Sequence, residues 1–163
     1  MGTEIERKFL IDVDKLKATA TIQEIFKIQQ AFIVSQPDAM VRMRIMTSEE
    51  HSALVPSQKV KLGFKLGSGP VRTEYEFDID LQTAESFMLK YPSIEKTRYI
   101  IDDETNENRY WEVDEFHGNH EGLWVAEIEL DDLDEEVELP DWITDEVTYN
   151  AEYYNCNLAQ FDK

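Results

Sequence analysis

Ionisable side chains recur at every second position along much of this 163-residue chain. Glu4-Ile5-Glu6-Arg7-Lys8-Phe9 sets Glu4, Glu6 and Lys8 on one side of an extended segment and Ile5, Arg7 and Phe9 on the other. Arg42-x-Arg44, Lys65, Arg72-x-Glu74-x-Glu76, Lys96-x-Arg98, Asp114 and Glu127-x-Glu129 continue the arrangement, interleaved with mostly apolar residues. Carboxylates at i and i+2, as in Glu4 with Glu6 and Glu127 with Glu129, suit a hard divalent cation such as Mg²⁺. Such an ion takes one or two protein carboxylates and completes its shell with water and phosphate oxygens. Arginine grips phosphate through its planar fork and lysine as a point charge. The charged side holds the cations Lys8, Arg42, Arg44, Lys65, Arg72, Lys96 and Arg98 and the acids Glu4, Glu6, Glu74, Glu76, Asp114, Glu127 and Glu129. These cancel formally. Two divalent metals would then be balanced by a ligand of about −4 to −5, as a triphosphate carries when its oxygens titrate near neutrality.

The elements that must position these groups are strands. Period-two alternation predicts them around Glu4–Phe9, Phe26–Val34, Val41–Ile45, Leu62–Leu66, Val71–Ile79, Lys96–Tyr99, Trp111–Asp114 and Val125–Leu130, about eight in all. Helices are few. Asp80 can cap Leu81–Lys90, with Leu81, Ala84, Met88 and Tyr91 near one face. A short helix is expected over Val13–Ala18, and Pro140 can open a C-terminal helical segment running towards Leu158, turned near Tyr149-Asn150. Residues 65–70 and 117–122 carry turn chemistry. One strand with a charged side is explained by an antiparallel sheet half in water. Repetition on all of these but the less regular Phe26–Val34, with apolar opposite sides for helices to cover, points instead to a mainly β (α+β) fold. The sheet closes into an eight-stranded antiparallel barrel with helices outside and a charged tunnel within.

The formal charge of −19 is uneven: residues 1–101 hold 14 basic and 14 acidic side chains, and residues 102–163 hold 2 basic and 21 acidic. Such a field repels long polyanions, so nucleic acid and anionic membranes are disfavoured as partners and a small anionic ligand is favoured. The apolar runs are too short for a membrane span, charge begins at Glu4, and Cys156 is the single cysteine. A cytoplasmic protein of one domain, residues 1–163, is expected; a homodimer is compatible with the sequence.

Glu4-Ile5-Glu6-Arg7-Lys8 resembles the E-x-E-x-K signature of the CYTH superfamily, the triphosphate tunnel metalloenzymes, and the later charged positions follow in that family's order across nearly the whole chain. Residues 2–10, Trp111–Gly118, and the ending around Glu146–Thr148 and Tyr153–Asn155 are most similar to the short bacterial inorganic triphosphatases. The resemblance implies a metal-dependent hydrolysis of inorganic triphosphate to diphosphate and phosphate, with Mg²⁺ or Mn²⁺ as cofactor. It implies Glu4, Glu6, Asp114, Glu127 and Glu129 as metal ligands or the groups directly behind them. Lys8, Arg42, Arg44, Lys65, Arg72, Lys96 and Arg98 are the implied phosphate grip. Lys8, Glu74, Glu76, Lys96 and Arg98 are expected to take part in catalysis, with Glu74 and Glu76 orienting the arginines, holding a metal-bound water or helping to ligate a second ion. Phe32 stands where that family usually has tyrosine.

Three other functions share these features: a class IV adenylyl cyclase making cyclic AMP from ATP, a thiamine triphosphatase, and a noncatalytic polyphosphate or nucleotide binder. A cyclase or thiamine triphosphatase needs an organic-group site. Trp142, Tyr149, Tyr153 and Tyr154 could supply one, although packing is the simpler reading. His117-x-x-His120 reads as a hairpin before a metal pair, and Asp131–Glu138 as a solvated acidic loop.

Overall fold

The computed structural model describes residues 2–49 and 57–159. Nine strands form one antiparallel sheet: β1 (Gly2–Ile11), β2 (Ile22–Gln36), β3 (Ala39–Ser48), β4 (Gln58–Leu66), β5 (Val71–Asp78), β6 (Ser93–Asp102), β7 (Tyr110–Phe116), β8 (Trp124–Leu130) and β9 (Ile143–Glu146). The order is β5-β4-β3-β2-β6-β7-β8-β1, and β1 pairs back onto β5 through Gly2 opposite Glu74 to Ile5 opposite Val71. The first eight strands therefore close into the expected barrel, and no strand edge is left along that seam.

The register decides which side chains meet. Lys8 lies opposite Glu127, Arg98 opposite Asp114, Lys65 opposite Glu74 and Glu4 opposite Arg72. Directly opposed residues share a face, so every charged stripe read from the sequence turns to the same side, inward. The outward side is apolar and is covered. Phe9, Trp111, Val113, Ala126, Ile128 and Trp142 pack together with Leu16 of α1 (Val13–Thr19). On the other flank Ala31, Met43 and Ile45 pack against Ala84, Phe87, Met88 and Tyr91, carried by or just beyond α2 (Leu81–Lys90). Both helices begin on an aspartate cap: Asp12 accepts from the Lys15 amide at 3.1 Å and Asp80 from the Thr83 amide at 2.9 Å. On α2, Leu81 sits at the exposed end of the helix, and Phe87 takes the place expected for it.

The C-terminal region departs from expectation. Pro140 opens no helix. A turn leads to β9, which adds to β1 where β5 has ended, with Ile11 opposite Ile143 and Phe9 opposite Glu146. Among the described residues beyond Pro140, a 3₁₀ turn at Ala151–Tyr153 is followed by the short helix α3 (Asn155–Leu158). The β-branched Ile143, Thr144, Val147 and Thr148 favour extended backbone. The free stretch of β1 supplies hydrogen-bond partners, including Val147 N–H to Lys8 O at 2.8 Å. Trp142 is 4% exposed and meets Trp111 edge-on at 5.5 Å, so it belongs to the outer core.

Arg7, on the outer side of β1, donates to Glu146 through Nε at 3.0 Å and Nη2 at 2.6 Å. That guanidinium, outweighing partial burial, holds the Glu146 carboxyl below its usual 4.5. A depressed carboxylate stabilises the fold above its unfolded value, and that contribution is lost as pH falls through the folded value. Both groups are partly exposed, so Arg7→Met is expected to cost about 1 kcal/mol or less at pH 7. In urea melts the mutant's deficit should shrink as pH falls below the usual carboxylate range, as the depressed Glu146 carboxyl takes up its proton; a deficit that does not change with pH would assign the loss to packing.

Among the described residues no helix is long and apolar enough to cross a membrane.

Candidate active site

The barrel interior is layered. At one end, inward residues Leu10, Phe32, Met40, Ile94, Phe116 and Val125 form an apolar cluster, sealed by Tyr153, Cys156, Leu158 and Ala159 of the C-terminal segment. Phe32, 3% exposed, belongs to this layer, where a tyrosine hydroxyl would meet mostly hydrocarbon. One residue pair along each strand, the interior becomes ionic: Lys8, Arg42, Lys65, Lys96, Arg98, Asp114 and Glu127 are all buried. Arg44, Arg72, Glu4, Glu6 and Glu74 are half-buried, and Glu76 and Glu129 reach the exposed rim. The expected tunnel is thus a cup, plugged at its apolar end.

Each cation is held by something specific. Lys96 Nζ lies 2.8 Å from Asp114 Oδ2, and Arg98 forks onto both Asp114 oxygens at 2.8 and 2.9 Å. Arg98 also pairs with Glu112. Lys8 is 3.2 Å from Glu127 and donates to the Tyr153 carbonyl at 3.1 Å. Lys65 bridges Glu4 at 2.9 Å and Glu74 at 3.6 Å; Arg44 meets Glu76 at 3.2 Å, and Arg42 lies 4.0 Å from Glu74. Arg72 donates to the Gly69 carbonyl at 3.2 Å and lies over the Tyr154 ring, 5.3 Å from its centroid. That carbonyl is presented by a tight β4–β5 turn, where Gly67 and Gly69 take φ of 107° and 73° that other residues rarely adopt.

The electrostatics split the acids into two groups. Burial would raise Asp114 and Glu127, but Arg98 and Lys96 hold the first below its usual value and Lys8 with Arg98 holds the second far below. Both are firmly ionised partners of cations. Glu6 behaves oppositely: burial, then the charge of neighbouring Glu127, pushes it up to about 8. Burial likewise raises Glu4, Glu112 and Glu129, helped by neighbouring carboxylates. Glu6 neighbours Glu127, and Glu4 neighbours Glu74. Carboxyl groups forced together this way repel when ionised, and a divalent cation relieves that repulsion by displacing protons. The donor set therefore fits a hard cation, although among the described residues no three acids stand in a finished ligating cluster. Burial pulls Lys96 down to about 8 against the pull of Asp114; burial, then Arg42 and Arg98, lowers Arg44 to about 10. The cations crowd each other as the acids do.

Between Glu6, Lys8, Arg42, Lys65, Arg72 and the C-terminal Thr148, Tyr154 and Asn155 lies a cavity of about 40 Å³. That holds a few waters. A larger anion must part the ion pairs that fill the rest of the cup.

Searched against family models, the chain matches none. An inorganic triphosphatase of Acetivibrio thermocellus is 35% identical over 163 residues, covering 98% of this chain and 95% of that protein. The chain belongs to the inorganic triphosphatase family. Its fold is also similar to the solved inorganic triphosphatase NE1496, at TM-score 0.59 and 28% identity over 98% of this chain and 95% of that one. PH1819 of Pyrococcus horikoshii OT3 shares the fold at TM-score 0.58 and 19% identity, over 79% of this chain and 78% of that one.

In this member of a hydrolase family, the structure brings all seven sequence-predicted cations and all seven acids to one interior. The histidines stay apart: His117 Nε2 meets Thr97 Oγ1 at 2.7 Å and His120 Nε2 meets the Leu158 carbonyl at 2.6 Å. Of the four candidate aromatics, Tyr154 sets its ring against the cations, its centroid 5.5 Å from Lys8 Nζ as well as beside Arg72. Tyr149 is exposed, and Trp142 and Tyr153 pack in clusters.

Two interior groups escaped the sequence reading. Glu112 pairs with Arg98, and its signal was available, because it precedes Asp114 by two and must share its face. Gln30 is fully buried with neither amide atom hydrogen-bonded. An orphaned buried polar group costs about 1–3 kcal/mol.

Proposed function

We propose that this protein hydrolyses inorganic triphosphate to diphosphate and phosphate, with a divalent metal as cofactor. The observation that carries the reading is the convergence of seven cations on one enclosed cup, interleaved with acids that crowd one another. Simple anion capture gains nothing from Glu4, Glu6 and Glu129 beside the anion. Glu4, Glu6, Glu127 and Glu129 are the residues to hold Mg²⁺ or Mn²⁺, while Asp114, with both oxygens engaged, orients Arg98 and Lys96. When bound, the metal supplies Lewis-acid neutralisation of phosphate oxygens and lowers the pKa of a coordinated water.

The chain's own residues do the rest. Lys8, Arg42, Lys65, Arg72, Lys96 and Arg98 bind the non-bridging oxygens and align the chain of phosphates. Arg44 at the rim draws the anion inward. A water attacks the terminal phosphorus in line as the bond to the bridging oxygen breaks. The electron pair leaves with diphosphate, and the water's proton passes to Glu74 or Glu76, held near the site by Arg42 and Arg44. Charge moving onto the leaving group meets buried cations already oriented by Asp114, Glu112 and Glu127, so little reorganisation accompanies the step. No covalent enzyme intermediate is needed.

A product panel tests this. With Mg²⁺ or Mn²⁺, phosphate release from inorganic triphosphate should exceed that from ATP or thiamine triphosphate, and diphosphate should be inert. Cyclic AMP as the main product from ATP, or tight triphosphate binding without phosphate release, would overturn it.

A further inference from the structure

Gln30 lies in the middle of the phosphate grip without any part in the ion-pair network. On β2 it stands directly opposite Arg44 of β3 and Ile94 of β6. Its neighbour Ile28 stands opposite Lys96, and Phe32 opposite Arg42. Since opposed residues share a face, Gln30 points into the cup, flanked by Arg44 and, one step along each neighbouring strand, by Arg42 and Lys96. It is 0% exposed, and both Nε2 and Oε1 lack a hydrogen-bond partner among the described residues.

Three cations beside an amide carbonyl would ordinarily donate to it. Here they are drawn away by carboxylates: Lys96 by Asp114, Arg44 by Glu76 and Arg42 towards Glu74. A purely structural role would be filled better by leucine or methionine, which match the apolar neighbours Ile28, Phe32 and Ile94 and leave nothing unsatisfied. A second arginine or lysine there would add to a crowd of cations that already lower one another. The group that suits this position is a neutral one able to donate to an anion while accepting from a cation.

We propose that Gln30 recognises the substrate directly: its amide N–H donates to a phosphoryl oxygen of triphosphate held by Arg42, Arg44 and Lys96, and its carbonyl accepts from one of those cations. The inference rests on the triphosphatase reading and adds an uncharged specificity residue to it. Phosphate oxygens offer acceptors only, so the donor end faces the ligand. The acceptor end then keeps a guanidinium or ammonium from swinging back to its carboxylate.

Gln30→Met keeps the volume and removes both polar ends. It should melt at the wild-type temperature or above, because it removes an unsatisfied group, while kcat/KM for triphosphate falls about 10- to 150-fold, the range of one hydrogen bond to a charged group. Gln30→Glu, which sets a carboxylate against the phosphate, should fall further in kcat/KM. Calorimetric titration with inorganic triphosphate and Ca²⁺ should show the same weakening for Gln30→Met. Wild-type kcat/KM and affinity in Gln30→Met would overturn the assignment, as would activity and melting temperature falling together. Should the wild-type protein bind triphosphate without hydrolysing it, the triphosphatase reading fails, and a Gln30→Met loss of affinity would still uphold the role of Gln30.

Discussion

Arg98→Ala is expected to lower kcat/KM for triphosphate by about 10² to 10³, the loss found when a preorganised donor to developing charge is removed. Arg98 is the most constrained cation in the cup, forked onto Asp114 and also paired with Glu112. Its guanidinium stays charged in spite of burial because Asp114 and Glu112 raise it above its usual value. Arg98→Lys should recover little, since an ammonium cannot reproduce the two-pronged geometry. The fold should survive Arg98→Ala, because Lys96 still neutralises Asp114 at 2.8 Å. Asp114→Asn is the contrasting change: it leaves Arg98 and Lys96 facing each other without their shared counter-charge. Breaking a buried ionic group in this way costs about 3–5 kcal/mol, which urea melts would register along with lost turnover. Wild-type kcat/KM in Arg98→Ala would remove Arg98 from the catalytic machinery.

Chelation should have the other large effect. After dialysis against EDTA, turnover is expected to fall by at least about 10³, the order of a lost Lewis acid and activated water, and to return with Mg²⁺ or Mn²⁺ added in excess of triphosphate. The reason lies in the acids. Burial, then the charge of neighbouring Glu127, pushes Glu6 up to about 8, and burial above all raises Glu4. Without a divalent ion these groups either hold protons or pair with the cations the substrate needs, as Lys65 does with Glu4. Glu6→Gln, which removes one such carboxylate, should raise the metal concentration needed for half-maximal turnover. Full activity in chelator would contradict the cofactor assignment.

The barrel was legible because its physics is repetitive. Alternation of charge and hydrocarbon with period two gives the same answer on seven strands, all but β2, and closure follows when every charged side needs the same interior. Helix α2 was legible from Asp80 and its apolar spacing. What escaped depends on tertiary partners. Strand β9 is four residues long, and what makes it a strand is the edge of β1 that β5 leaves open beyond Ile5. The plug formed by Tyr153, Cys156, Leu158 and Ala159 carries no signal of its own; it answers to the apolar rim made by Phe32, Met40 and Phe116. Gln30 escaped because a search for charge passes over an amide, and β2 breaks its alternation at a register shift between Phe32 and Val34. Glu112 was a different miss: the spacing that selected Asp114 included it.

The most direct measurement follows the phosphorus NMR spectrum of inorganic triphosphate incubated with the protein and excess Mg²⁺. A substrate gripped by the interior cations and attacked at its terminal phosphorus should give phosphate and diphosphate in equal amounts, with diphosphate persisting. Triphosphate signals that remain unchanged at full metal occupancy, or conversion straight through to phosphate alone, would contradict that account.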